Sequence, residues 1–433
     1  MRRKPSHLSL APPLESRPSD ALPENLVRLL FRQAGDLVDA DDPIQAELWC
    51  SDVLGAVWAA TDGDPAAEET FVGAWLEAAE AEADDGAALV ALTALGTLAG
   101  SGSARRAAAA AADRIGAPRP LWATAVPEIS SGECWHYGDV YGDQETILCA
   151  FRRGETEHAM LVLIDYTLGG IAKDVFFTEA VAGSLADLQY ELGSTPVAFL
   201  EPIEPGVARR RLQRAFRTTD GRVEPRVNDE FAPHRALALA RVRTLPPSIE
   251  ILGPEPAPHP DVLIEEFLSS PEAADLADFE LAERWARLLV DRALNAADDP
   301  ARVGPGVLDE LLLVDVPEHA VLDAAARNAM PAVLTAWTLW AGRRQGLAEP
   351  AVAWLQTALS EILEEFPEAY RDPGAVAHRN TCPDTADLRS ERPAQLARRA
   401  PGDTVLQLRT PPISPSVLRA TSTASRVGRG RPK

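Results

Sequence analysis

Residues 145–166, "ETILCAFRRGETEHAMLVLIDY", constrain the fold more than any other stretch. Two strand-length runs rich in β-branched, aromatic and aliphatic residues flank a short polar link, Arg153-Gly154-Glu155-Thr156-Glu157, which is the pattern of a β-hairpin. A third run of the same texture, "ECWHYGDVYGD", precedes it; "SLADLQYELG", a helix ending at Gly193, and "TPVAFLEPI", a further strand, follow. Residues 128–201 therefore read as a small antiparallel α+β domain.

On either side the period changes from two to that of a helix. Residues 25–117 read as an N-terminal helical domain of five segments, one opening with Asp42 as N-cap and Pro43 at the first helical position, with Leu48, Val53, Leu54 and Val57 set for burial. Residues 202–260 read as helices and a proline-rich linker, and 261–370 as a C-terminal helical bundle. In that bundle Ser270 caps, Pro271 follows, and Leu281, Trp285, Leu288 and Leu289 share a face. Pro331 is expected to break or kink the long segment that contains it. Residues 1–24, a polar leader, and 371–433, a basic tail, are too rich in Pro, Ser and charge to form a core and are expected to be disordered. The fold class expected is mostly α with a small central α+β domain: helical bundles flanking an antiparallel sheet, with disordered termini.

The formal net charge of −23 makes the body a poor general polyanion binder, so any contact with nucleic acid has to be local. The charge is uneven, because residues 371–433 carry twelve basic and five acidic side chains. Cys50, Cys134, Cys149 and Cys382 form no CxxC pair, so reduced thiols in a cytoplasmic protein are expected rather than a zinc ribbon or disulfide framework. The N-terminus lacks the apolar run of a signal peptide, and the most apolar window, residues 86–100, is too short to cross a bilayer.

The densest set of polar side chains is Glu133, His136, Asp139, Asp143 and Glu145, with Gly138 and Gly142 for sharp turns. His136, Asp139 and Asp143 are the candidate ligands for a divalent metal, and a solvated hairpin rim is the competing reading. Asp165 ends an apolar strand ahead of Gly169-Gly170, and Lys173-Asp174 follow, so a hydrolase would use Asp165 or Asp174 as metal ligand or base, with His158 or His136 assisting. The competing reading there is a strand end, a glycine turn and an exposed Lys173–Asp174 ion pair. "ARRRLQRAF", residues 208–216, is a basic helix face suited to DNA or an acidic partner, or to this protein's own carboxylates.

Two resemblances add to this. Arg429-Gly430-Arg431-Pro432, followed by Lys433, resembles an AT-hook core, which implies weak contact with an A·T minor groove. "GDVYGDQETILCAF", "HAMLVLIDYTLGGIAKDVF" and "MPAVLTAWTLWAGRRQGL" resemble segments of conserved uncharacterised proteins of high-GC actinobacteria, which implies a bacterial, cytoplasmic setting and transfers no site residue. The function expected is a non-enzymatic interaction or regulatory scaffold with a protein partner, no membrane contact and a tail that touches DNA. The alternative is a metal-dependent hydrolase in the α+β domain. A third reading gives that domain a mainly apolar pocket that binds a small molecule without chemistry.

Overall fold

The structure is a computed structural model and describes residues 22–82, 84–193, 195–247, 258–294, 300–382 and 386–388. The expected residues Arg429, Gly430, Arg431, Pro432 and Lys433 of the hook, and most of the leader, lie outside the described residues. The chain divides into two compact units, residues 1–124 and 125–433.

The first unit holds helices α1 (Glu24–Gly35), α2 (Pro43–Ala60), α3 (Pro65–Ala81), α4 (Asp85–Leu98) and α5 (Gly102–Arg114). Asp42, Asp64, Asp84 and Ser101 cap α2 to α5 by accepting from backbone N–H groups of the first turn. The apolar window is α4, buried from Ala87 to Leu92 without interruption, as a helix apolar all round must be. On α2 the buried stripe runs through Glu47, Cys50, Ser51, Leu54 and Trp58, whereas the expected Leu48, Val53 and Val57 are half-buried.

The second unit is built on a five-stranded antiparallel sheet of β1 (Ile129–Asp139), β2 (Gln144–Arg153), β3 (Thr156–Asp165), β4 (Ile171–Thr178) and β5 (Ala198–Ile203), in the order β4-β3-β2-β1-β5. Arg153 pairs with Thr156, so the β2–β3 loop is two residues long, with Gly154 at φ +56°. β4 is absent from the sequence reading, and its discovery overturns the exposed Lys173–Asp174 pair: Asp174 is buried and Lys173 pairs with Asp165.

Side chains alternate across the sheet. Tyr137, Leu148, Ala150 and Leu161 lie on one face under Val181 and Leu188 of α6 (Val181–Leu192). The other face is covered by α7 (Pro205–Asp220) and α8 (Phe231–Thr244), which are tied to β4 by Thr219 Oγ1 donating to Ala172 O (3.1 Å) and by His234 Nδ1 against Val175 O (3.0 Å).

The remaining helices are α9 (Pro260–Leu268), α10 (Phe279–Leu294), α11 (Pro305–Asp309), a π-helical turn (Glu310–Asp315), α12 (Val316–His319), α13 (Ala324–Gln345), α14 (Glu349–Ala369) and α15 (Pro373–Arg379). Leu281, Trp285, Leu288 and Leu289 are buried as expected, in a core with Phe267, Trp337, Trp340 and Leu355. Ser270 instead heads a short 3-10 turn, Pro271–Ala273, to which its side chain gives no cap, and α10 starts only at Phe279. α13 runs unbroken through Pro331, with Met330, Val333 and Leu334 buried around it, so tertiary packing outweighs the lost backbone hydrogen bond. Ordered structure also continues past Tyr370: α15 is followed by the pairing of β6 (Ala320–Val321) with β7 (Ala386–Asp387), which moves the start of the basic tail beyond residue 388. Among the described residues no helix is long and apolar enough to cross a membrane.

Candidate functional site

Antiparallel topology puts the β1–β2 and β3–β4 turns at the same end of the sheet, which brings Asp139 and Asp143 beside Asp165. Asp139 folds its carboxylate back over its own turn. Its Oδ1 accepts from the N–H groups of Tyr141, Gly142 and Asp143 (2.9, 2.7 and 3.1 Å), and Oδ2 accepts from Gln144 N (2.9 Å). Burial still raises its pKa, against the pull of those four donors.

Asp165 is fully buried. Its Oδ1 accepts from Thr167 N (3.0 Å), Thr167 Oγ1 (2.6 Å) and Leu168 N (3.3 Å), while Oδ2 accepts from Gln144 Nε2 and Lys173 Nζ (both 2.8 Å). With two oxygens meeting five donors, little lone-pair capacity is left for a metal or a substrate proton.

Asp143 reaches away from the sheet into the segment Val303-Gly304-Pro305-Gly306, where Oδ2 accepts from Gly306 N (2.6 Å) at the start of α11. A Cβ on Gly304 would fall inside the Asp143 carboxyl group, and one on Gly306 would press on both Asp143 and Thr167. Gly142, at φ +79°, has no room for a Cβ because the Arg302 guanidinium lies over it. Arg302 Nε donates to Tyr141 O (2.5 Å). Burial and then the neighbouring Asp139 charge push the Asp143 carboxyl well above the usual range, and Gly306 and Arg302 offset part of this.

Glu145 lies next along β2. Burial opposes its ionisation, yet His136, Arg211 and Tyr166 together hold it below the usual carboxylate range. Arg211 Nη1 donates to Oε2 (2.7 Å) and Tyr166 Oη to Oε1 (2.5 Å). A cavity of about 50 Å³ adjoins this cluster, lined by Asp143, Tyr166 and Arg302 on one side and by Leu289, Leu311 and Trp337 on another. It is large enough for a few waters or a group of a few heavy atoms.

The three expected metal ligands do not come together. His136 faces Glu145 (3.6 Å) and Glu201 (3.8 Å), Asp139 closes its own turn, and Asp143 caps α11. The three expected catalytic residues are likewise dispersed. His158 and Asp165 are seven residues apart on one strand, roughly 23 Å at strand spacing. His158 accepts from Arg241 Nε (2.9 Å) and stacks on Phe151, and burial pushes its pKa down to about 3. Asp174 accepts from Asn228 Nδ2 (2.6 Å) and Val175 N (2.9 Å), and burial pushes it up to about 6.

The residues that sequence reasoning missed are Tyr166, Arg302 and Gly306, while Lys173 reads in the sequence only as half of a surface ion pair. The local signal for Arg302 and Gly306 is Gly304-Pro305-Gly306, which marks a sharp turn into a helix without saying what fills the space between the glycines. The basic helix face does appear. On α7, Arg210, Arg214 and Arg217 are exposed at positions i, i+4 and i+7, while Arg211 turns inward to Glu145. No family model matches the chain, and no curated protein or solved structure matches it either.

Proposed function

We propose that this chain is a non-enzymatic interaction protein that docks an acidic segment of a protein partner on the outer face of α7. The observation that carries this reading is the row of solvent-exposed arginines, Arg210, Arg214 and Arg217, about 10 Å long at helical rise, on a chain of net charge −23; Arg210 and Arg214 also hold partners within the chain, for which an acidic peptide would compete. Guanidinium groups suit carboxylates because their planar fork accepts bidentate pairing. The surrounding negative field disfavours the denser charge of a nucleic acid and tolerates a short acidic peptide. Arg211 supports the arrangement by pinning the inner side of α7 to the buried Glu145 of β2.

The test is fluorescence anisotropy with a labelled oligo-glutamate peptide and labelled A·T-rich and G·C-rich duplexes, using the full chain, the R210E/R214E/R217E variant and a chain ending at residue 425. The reading expects peptide binding that weakens with salt and falls at least tenfold in the triple variant. Equal peptide binding by wild type and triple variant overturns it. Duplex binding that requires residues 426–433 and prefers A·T sequence assigns the nucleic-acid contact to the Arg429–Lys433 hook instead.

The metal-dependent hydrolase has weaker support, since Asp139 and Asp165 are saturated by donors and His136, Asp139 and Asp143 point to different partners. The cavity favours the third reading. A small molecule would rest on Leu289, Leu311 and Trp337 with its polar end toward Arg302 and Tyr166, which is the usual division of a ligand site into apolar walls and a few placed polar groups.

A further inference from the structure

A second cluster lies apart from the carboxylates. His319 ends α12, His378 lies in the last turn of α15, and Cys382 follows three residues after that helix ends. One ring nitrogen of each histidine and the cysteine sulfur all lie within 4.8 Å of one another, and the three residues are half-buried. The imidazole rings meet edge to face, with centroids 4.8 Å apart. Two imidazoles and a thiol form a donor set of the softness that suits zinc and its neighbours in the transition series, and that calcium and magnesium avoid.

The surroundings prepare the rings for this role. His319 Nδ1 lies 3.1 Å from Asp315 O, and His378 Nδ1 lies 3.5 Å from Glu318 O. A carbonyl oxygen can only accept, so each contact keeps the proton on Nδ1 and leaves the lone pair on Nε2, the second-shell pattern that orients metal-bound histidines. His378 and Cys382 have i, i+4 spacing, and Cys382 N donates to His378 O (2.9 Å), which folds the cysteine back beside the ring. This His-x3-Cys spacing was legible in the sequence, but it gains its third member only from His319, 59 residues earlier.

The frame around the cluster is well fixed. Arg379 donates to Pro317 O and stacks over the Tyr370 ring at 4.1 Å. Tyr370 Oη accepts from Leu322 N (2.9 Å) and donates to Ala320 O (3.2 Å). α12 and α15 are thereby held together where β6 and β7 pair.

We propose that His319, His378 and Cys382 form a transition-metal site with Zn²⁺ as its natural occupant and a water in the fourth position. Donors at zinc bond lengths of about 2.0–2.3 Å stand roughly 3.3–3.7 Å apart, so metal binding draws the three together by about 1 Å. Side-chain rotation supplies that movement. The bound ion clasps the end of α15 to α12, just ahead of the β7 strand that pairs with β6.

The test uses the full chain, stripped with a chelator under reducing conditions and titrated with Co²⁺. The expected result is one Co²⁺ per chain, intense visible bands of tetrahedral cobalt, a near-ultraviolet thiolate-to-metal band, and displacement by Zn²⁺. C382S should lose the near-ultraviolet band, and H319Q and H378Q should each weaken binding at least tenfold while circular dichroism shows a folded chain. An independent measurement needs no variant: Zn²⁺ should protect Cys382 from alkylation, read by mass spectrometry of the labelled peptide. Cys50, Cys134 and Cys149 are buried, so Cys382 is the accessible thiol among them. No stoichiometric binding, a thiolate band that survives C382S, or alkylation unaffected by Zn²⁺ overturns the proposal.

Discussion

Asp174 and His158 occupy neighbouring strands, and burial displaces both pKa values in directions that oppose each other's effect on stability. Asp174 has an ordinary value of 3.8 and is pushed up to about 6, first by burial and against the pull of Asn228 and Val175 N. Between those two pH values the folded chain holds a proton that the unfolded chain has released. The contribution is therefore fully present below pH 3.8 and is lost as pH rises through 6, a change of about 3 kcal/mol. His158 is lowered from 6.5 to about 3 by burial and then by the Arg241 and Arg153 charges. Its contribution is present above pH 6.5 and is lost as pH falls toward 3. The two slopes overlap and partly cancel in the wild type, so the informative measurement is a comparison. In urea denaturation at pH 4 and pH 7, D174N should lack the decline due to Asp174, shifting the difference between the two pH values by roughly 2 kcal/mol relative to wild type. An unchanged difference would mean that Asp174 titrates normally.

The junction between the β1–β2 turn and the helical run from α11 through α12 depends on Asp143. The carboxyl gives Gly306 N an acceptor at the start of the run, yet it stands close enough to Asp139 and Asp165 for their charges to raise its pKa. Removing the acceptor and removing the charge should thus have different effects. D143A strands a buried N–H and should cost about 1–3 kcal/mol, whereas D143N keeps an acceptor oxygen, relieves the repulsion and should remain within about 1 kcal/mol of wild type. Urea denaturation at pH 7 separates them, and equal losses would remove the cap from the account. At this scale the sequence was readable where the signal is local. The β2–β3 hairpin follows from period-two alternation with Gly154 at its tip, and α2 from Asp42-Pro43. β4 was hidden because Lys173-Asp174 reads as surface charge, and Lys173 becomes buriable only through Asp165, eight residues away across a turn. Proximity of Asp139, Asp143 and Asp165 was legible as a dense acidic stretch with a strand end nearby. Their roles were not, because most of the donors are backbone N–H groups of the turns, one of them on a glycine 163 residues distant from Asp143, and the Lys173 side chain arrives from a strand that the sequence hid.

Each of the two compact units carries a hydrophobic core of its own. In residues 1–124 the core surrounds α4, whose Leu89, Leu92 and Leu95 are fully buried together with Trp75 of α3 and Cys50 of α2. In residues 125–433 a single bundle core takes in the tip of the sheet, since Tyr141 of the β1–β2 turn is buried among the C-terminal helices and donates to Ala351 O (2.7 Å). The sheet and the C-terminal bundle are joined by that side chain, by Asp143 and by Arg302, whose Nε donates to Tyr141 O, and they are therefore expected to unfold together. The same reasoning gives the first unit autonomy, because its other four helices close around α4. A chain of residues 22–124 should unfold in urea in one cooperative transition with a slope of about 1 kcal/mol/M, as expected for a small domain. A chain starting at residue 125 should keep the near-ultraviolet circular dichroism of its buried tryptophans. It should lose the signals of sheet and bundle together when Tyr141→Ala is introduced. A gradual, probe-dependent transition in the first fragment would show that its core is incomplete alone. Loss of the bundle signal without the sheet signal would show that the Tyr141 junction couples them less tightly than its burial implies.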